Sequence, residues 1–128
     1  VMEPTVVRLK VERELVDGAV VVRAGGAVDM GTVDDLTVAL TAALRSTAEG
    51  TATLVIIDLH GVTYFGSAGL NAVLRCHERG TATGIPVRLV ADNPEVVRPI
   101  EVTGLDAVLR MYPTVDAALR PPRETGPA

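Results

Sequence analysis

Ser67 is the side chain of this sequence with the clearest chemical opportunity. It stands in Gly66-Ser67-Ala68-Gly69-Leu70, after the apolar run Thr53–Leu59 and the segment His60–Gly66. A strand that runs into small residues and then a helix leaves such a serine at or near the helix N-cap. Its oxygen can there accept from the N–H groups two and three residues on. The same free N–H groups, at the positive end of the helix, would also welcome a phosphate carried by the serine. Gly66, Ala68 and Gly69 are small enough for another protein's active site to reach the hydroxyl. From the residues alone, a plain serine cap and a phosphoryl acceptor both fit.

Other chemistries ask for residues in other places. A serine-hydrolase elbow reads Gly-x-Ser-x-Gly, and the residue two before Ser67 is Phe65. His77 lies ten positions along the helix, about 15 Å at 1.5 Å per residue. His60 is nearer in sequence and Asp58 could orient it, but no spacing fixes the three groups together. A P-loop needs Gly-Lys followed by Ser or Thr, which does not occur. A phospho-receiver domain needs an acidic pair after its first strand and a late lysine, and both are missing. Cys76 is the single cysteine, which rules out an internal disulfide and a cysteine-built zinc site. With His77 beside it, Cys76 reads as helix packing, and Asp58 as a group that hydrogen-bonds near a strand end. No catalytic residue, metal site or cofactor is expected.

The elements that position Ser67 follow from pattern and punctuation. Residues 5–16 and Ala19–Ala24 read as a hairpin turning at Asp17-Gly18, with Gly25 and Gly26 ending its second strand. Thr32 is placed to cap a helix whose apolar face is Val33, Leu36, Leu40, Ala43 and Leu44, with Asp34 and Asp35 in the first turn and Gly50 beyond its end. Thr53–Leu59 reads as a strand buried on both faces. His60–Gly66 reads as a loop, and Ser67–Arg79 as a helix closed by Gly80. Pro86–Val90 is another buried strand. Asn93-Pro94-Glu95 starts a helix that Pro99 should kink or split, and Gly104 ends it. Leu109–Tyr112 and Thr114–Leu119 supply a short strand and a last helical piece. The order implies one α/β domain over residues 1–120, with a mixed sheet of four to five strands. Residues 121–128 read as a disordered tail.

Composition narrows the class. At 128 residues, with 48% hydrophobic and 22% charged, the chain can bury a core without staples. That core must be aliphatic, because Tyr64, Phe65 and Tyr112 are the only aromatics. The net charge is −4, and eleven scattered arginines accompany the single lysine, Lys10. Direct nucleic-acid binding needs a basic stripe or stacking aromatics, and neither is present. No apolar run approaches the roughly eighteen residues of a membrane span. The expectation is a soluble cytoplasmic protein, monomeric, with no membrane partner.

Three segments, in order, give the sequence a family likeness. These are Gly26-Ala27-Val28-Asp29 with Thr32 and Leu36 following, then Gly66-Ser67-Ala68-Gly69-Leu70. The third comprises Val102-Thr103-Gly104-Leu105-Asp106 and Tyr112-Pro113-Thr114-Val115-Asp116-Ala117-Ala118-Leu119. With this spacing the chain resembles the STAS-domain anti-sigma factor antagonists of bacteria, from about Val6 to Leu119. The resemblance implies a STAS-type sheet with helices packed mainly on one face. It also implies a regulator without catalysis of its own that binds an anti-sigma factor of the serine-kinase type and frees its sigma factor, for instance in a stress response.

Phosphorylation of Ser67 by that kinase would break the complex, and a phosphatase would reset it. Mg-ATP belongs to the kinase. The surface implied for the partner comprises Asp29, Thr32, Gly66, Ser67, Ala68, Gly69, Asn71 and Arg75, bordered by Glu78 and Arg79. Asp29 also reads more simply as a loop residue before a helix. Two positions depart from the family pattern: Gly66 stands where an aspartate is usual, and Ala27 where a glutamate is. The competing reading is a STAS scaffold or small-ligand sensor that is not switched by phosphorylation.

Overall fold

Asp17 and Gly18 both take positive φ, 47° and 82°, the conformation in which a two-residue turn follows the twist of a hairpin. They join strand β1 (Lys10–Val16) to β2 (Ala19–Val28), antiparallel, with Val16 opposite Ala19. The computed structural model describes residues 9–120. Residues 5–8 of the expected first strand and the 121–128 tail lie outside them. After the hairpin the chain alternates helix α1 (Val33–Ala48), β3 (Leu54–Phe65), α2 (Ser67–Thr83), β4 (Val87–Val90) and α3 (Pro94–Val102). A single 3-10 turn then leads to β5 (Arg110–Tyr112) and α4 (Val115–Leu119).

The strands lie in the order in which they occur in the chain, β1-β2-β3-β4-β5, with β2 to β5 mutually parallel. Parallel neighbours need a crossover, and crossovers are right-handed. A sheet that always advances in one direction therefore places every crossover helix on the same face. The core follows from this. Val20, Val22, Val55, Ile57, Leu59 and Leu89 of the sheet pack with Leu36 and Leu40 of α1, Val73 and Cys76 of α2, and Val96 and Ile100 of α3. The alternate residues Ala19, Val21, Ile56 and Val90 face the other way and meet only α4, through Ala118 and Leu119. The mixed five-stranded sheet with most helices on one face agrees with expectation.

Five local readings change. Gly25 and Gly26 do not end β2, and His60–Gly66 is not a loop, because β2 and β3 stay paired as far as Val28 and Phe65. The glycines instead carry an irregular stretch. Gly26 has φ of 108°, and a methyl on Gly61 would stand 3.1 Å from the Gly25 Cα. Gly80 does not close α2 either. The helix continues to Thr83, and Gly84, with φ of 77°, makes the left-handed cap. The Ile85 N–H donates to the Gly80 carbonyl at 2.7 Å and the Gly84 N–H to the Thr81 carbonyl at 3.4 Å, the two bonds of a Schellman ending.

In the same way Pro99 sits inside α3 without splitting it. The carbonyl that loses its donor belongs to the exposed Glu95. Finally, Asn93 does not cap α3 with its side chain. Its Nδ2 donates to the carbonyls of Leu59 and Val62 at 3.1 and 2.9 Å, tying the helix start to β3.

Gly80 yields a signed prediction. In a helix interior, Gly→Ala ordinarily stabilises by up to about 1 kcal/mol. Here the added methyl would lie 2.5 Å from the Ile85 carbonyl oxygen and 2.7 Å from Val87 Cγ2. Gly80→Ala should therefore destabilise, by about 1–3 kcal/mol for a tightly packed site, as measured by urea unfolding.

Candidate functional site

The paired ends of β2 and β3 bring two chain segments together. Val28 is in register with Phe65, and the Gly66 N–H donates to the Val28 carbonyl at 3.1 Å. The turn Asp29–Thr32 and the start of α2 consequently share one edge, outside the carboxyl ends of parallel strands, where open α/β sheets place their binding surfaces.

Asp29 builds that turn from within. Its Oδ1 accepts from the N–H groups of Gly31 and Thr32 at 2.8 and 3.1 Å, and its carbonyl accepts from Val33 N–H at 2.9 Å. Thr32 occupies the N-cap position of α1 but makes no cap bond with its side chain. Its hydroxyl donates to the Ala27 carbonyl at 2.7 Å and accepts from Asp29 N–H at 3.0 Å. The cap bond expected of Thr32 is therefore not made, because its hydroxyl is spent inside the turn, and the Asp29 carboxylate holds the two residues just ahead of α1. Met30, at the tip of this well-bonded turn, is 87% exposed.

Ser67 is the first residue of α2 rather than its cap. Gly66 is the N-cap, in extended conformation, and its carbonyl accepts from Leu70 N–H at 3.1 Å. Ser67 is exposed. Gly69, one turn on, is buried and has no room for a side chain, since a methyl there would meet Phe65 Cε1 at 2.7 Å and Val28 Cγ1 at 2.9 Å. The first turn of α2 is thereby pressed onto the two strand ends. Tyr64, 56% exposed, lays its ring against Gly66, with ring and hydroxyl atoms about 3 Å from where a Cβ would stand.

Of the residues expected at the site, Asp29, Thr32, Gly66, Ser67, Ala68 and Gly69 share this edge. Asn71 lies one turn further along α2, and Arg75 a further turn, about 12 Å from Ser67 at helical rise. Ala68, Asn71 and Arg75 also line a groove of about 700 Å³ between α1 and α2, together with Val33, Leu40 and Glu78. Met30 and Tyr64 were not legible as site residues in the sequence. A single methionine in a turn and an aromatic before a glycine carry no spacing signal, and only their exposure in the fold marks them.

Cys76 lines the groove and is itself buried. Burial pushes its thiol up to about 12, with Arg79 pulling weakly the other way. His60 sits back along β3, turned toward Asp58, Asp92 and the Pro113 carbonyl, so no hydrolytic triad with Ser67 is assembled. Among the described residues no three His, Cys, Asp or Glu side chains gather as a metal site, and no helix is long and apolar enough to cross a membrane.

Comparison with known proteins agrees with this arrangement. A family model described as the STAS domain matches residues 10–118. The anti-anti-sigma factor candidate Rv2638 of Mycobacterium tuberculosis is 38% identical over 103 residues, 79% of this chain and 67% of its own length. RsfB of the same species, an anti-sigma-F factor antagonist, is 30% identical over 103 residues, 80% of each chain. The crystal structure of an anti-sigma factor antagonist from Mycobacterium paratuberculosis superposes with a TM-score of 0.75 at 35% identity, covering 87% of this chain and 91% of the other.

Two measurements check the site. Asp29→Ala should lose about 1 kcal/mol, the net worth of a typical intramolecular hydrogen bond, by thermal unfolding. Cys76 should resist iodoacetamide at pH 8 in the folded protein and react at once in denaturant. The raised thiol stabilises the fold fully below the unfolded-state value near 9, and this contribution is lost as pH rises toward about 12.

Proposed function

The chain belongs to the STAS domain family, and from that premise we propose that it is an anti-sigma factor antagonist switched at Ser67. The observation that carries the switch is the exposed Ser67 at the first position of α2. It is held there by a glycine contact that leaves the backbone little freedom to retreat. In its unphosphorylated form the edge formed by the Asp29–Thr32 turn and the start of α2 binds an anti-sigma factor of the serine-kinase type, and the sigma factor is freed. Met30 and Tyr64 supply exposed apolar area on the same edge as Ser67, the kind of anchor on which interfaces depend. Asn71 and Arg75 extend the contact down α2.

The partner kinase, which carries Mg-ATP, transfers the γ-phosphoryl group to the Ser67 hydroxyl. The Oγ–P bond forms as the bond to the β-phosphate oxygen breaks, and the hydroxyl proton passes to a base on the kinase. The product carries about −1.5 to −2 charges at neutral pH. The free N–H groups of the first turn of α2 favour that charge on the isolated protein. In an interface that also covers Met30 and Tyr64, however, the phosphate would have to shed water, which opposes binding. Release therefore needs no change of fold, and a phosphatase restores the first state. Gly66 in place of the usual aspartate fits this reading, because the Tyr64 ring takes the space that a side chain there would fill. The protein acts as a cytoplasmic monomer, without a cofactor of its own. The groove of about 700 Å³ between α1 and α2 favours a second reading, a small-ligand sensor with no phosphoserine.

Wild-type, Ser67→Ala and Ser67→Asp proteins serve as baits in a host lysate, with captured chains identified and the affinity of the captured anti-sigma factor then measured. Wild type and Ser67→Ala should hold the same ATP-binding anti-sigma factor, and Ser67→Asp should bind it more than tenfold more weakly. Equal binding by all three would refute the switch. A double Met30→Ser, Tyr64→Ala variant should also bind at least tenfold more weakly, the scale of an interface anchor.

A further inference from the structure

Asp58 is the one charged residue buried among those described, and the Ser67 surface makes no use of it. A carboxylate in that position must be compensated. Its Oδ1 accepts from His60 N–H at 3.1 Å and lies 3.0 Å from His60 Nδ1, and its Oδ2 is 3.6 Å from Arg23 Nε. Arg23 on β2 is shared with Glu14 on β1, and Lys10 and Glu12 line the same recess. The other ring nitrogen of His60, Nε2, is 2.7 Å from the Pro113 carbonyl and 3.3 Å from Asp92 Oδ1. One imidazole thus spans from the middle of β3 to the residue between β5 and α4.

Each ring nitrogen of His60 faces oxygens that can only accept. A neutral imidazole has a single N–H and can satisfy one side, whereas the imidazolium donates to both. We propose that His60 is a proton-operated clasp: when charged it fastens the C-terminal segment starting at Pro113 to β3, and when neutral it lets that segment go. On loss of the proton the remaining N–H stays with the buried Asp58, because a bond to a carboxylate is stronger than one to a carbonyl. The lone pair of Nε2 is then left against the Pro113 carbonyl and the Asp92 carboxylate. Beyond this clasp the segment is held by a small apolar contact, by Arg88 Nη1 donating to the Ala118 carbonyl at 2.7 Å, and by the exposed pair of Arg120 with Asp17 at 3.3 Å, which is weak in water. It is therefore an element that can open locally while the sheet stays folded. The segment is held while His60 carries both ring protons and loosened once one is lost.

The test uses the full chain and needs no partner. Imidazole ¹⁵N shifts report how many ring protons His60 carries, and amide exchange of Ala118 and Arg120 reports the segment, both followed from pH 5.5 to 8. After correction for intrinsic exchange, protection in the wild type should fall about fivefold, the equilibrium factor of one hydrogen bond. Its midpoint should coincide with the His60 titration and not with that of His77, the other histidine. His60→Gln should abolish the pH dependence. Flat protection in the wild type, a midpoint that follows His77, or an unchanged profile in His60→Gln would each overturn the proposal. Should His60→Gln fail to fold, the comparison of midpoints within the wild type still decides it.

Discussion

Where α2 leaves β3 there is no room for a methyl group. Gly69 lies so close to Phe65 and Val28 that the helix start, the end of β3 and the end of β2 form one rigid corner. The placement of Ser67, the approach of the Asp29 turn and the exposure of Met30 all follow from that corner. A larger residue at 69 would lift the helix, and Ser67 would lose its fixed relation to the neighbouring turn. The constraint is steric, so it applies equally to the free protein and to any complex.

Polar side chains near this corner serve mainly to hold backbone. Asp29 and Thr32 close their own turn, and Asn93 bridges two carbonyls of β3. Each satisfies groups that strand ends and helix starts leave unpaired. The surface proposed for a partner carries the exposed Met30 and Tyr64 beside these spent polar groups. The charged network is set instead on the face of the sheet that α4 leaves partly uncovered, where Arg23, Asp58 and His60 alternate with core residues.

Most of the fold was legible because its signals are local. The Asp17-Gly18 hairpin, the apolar periodicity of α1 and the unbroken run of Val55, Ile56 and Ile57 each specify an element with little help from elsewhere. Several of the differences lie at glycines, which end an element in the local pattern but sit within one in the fold. Gly61 and Gly80 lie within elements where another backbone or side chain passes too near for a Cβ, and no single segment reveals that neighbour. The site was legible at Ser67 and Asp29 through their motif segments. Met30, Tyr64 and the reach of His60 to Pro113 depend on distances across the fold, which spacing along the chain does not encode.

The strand order has a consequence for how the molecule comes into being. Because each strand is added beside the one made just before it, no strand waits for a distant partner to be synthesised. The hairpin forms a template as it leaves the ribosome, and β3, β4 and β5 extend it in turn, domains generally folding as their N-terminal parts emerge. The corner bearing Ser67 is complete once α2 has been made. The segment from Pro113 onward follows β5 and closes against a sheet already in place.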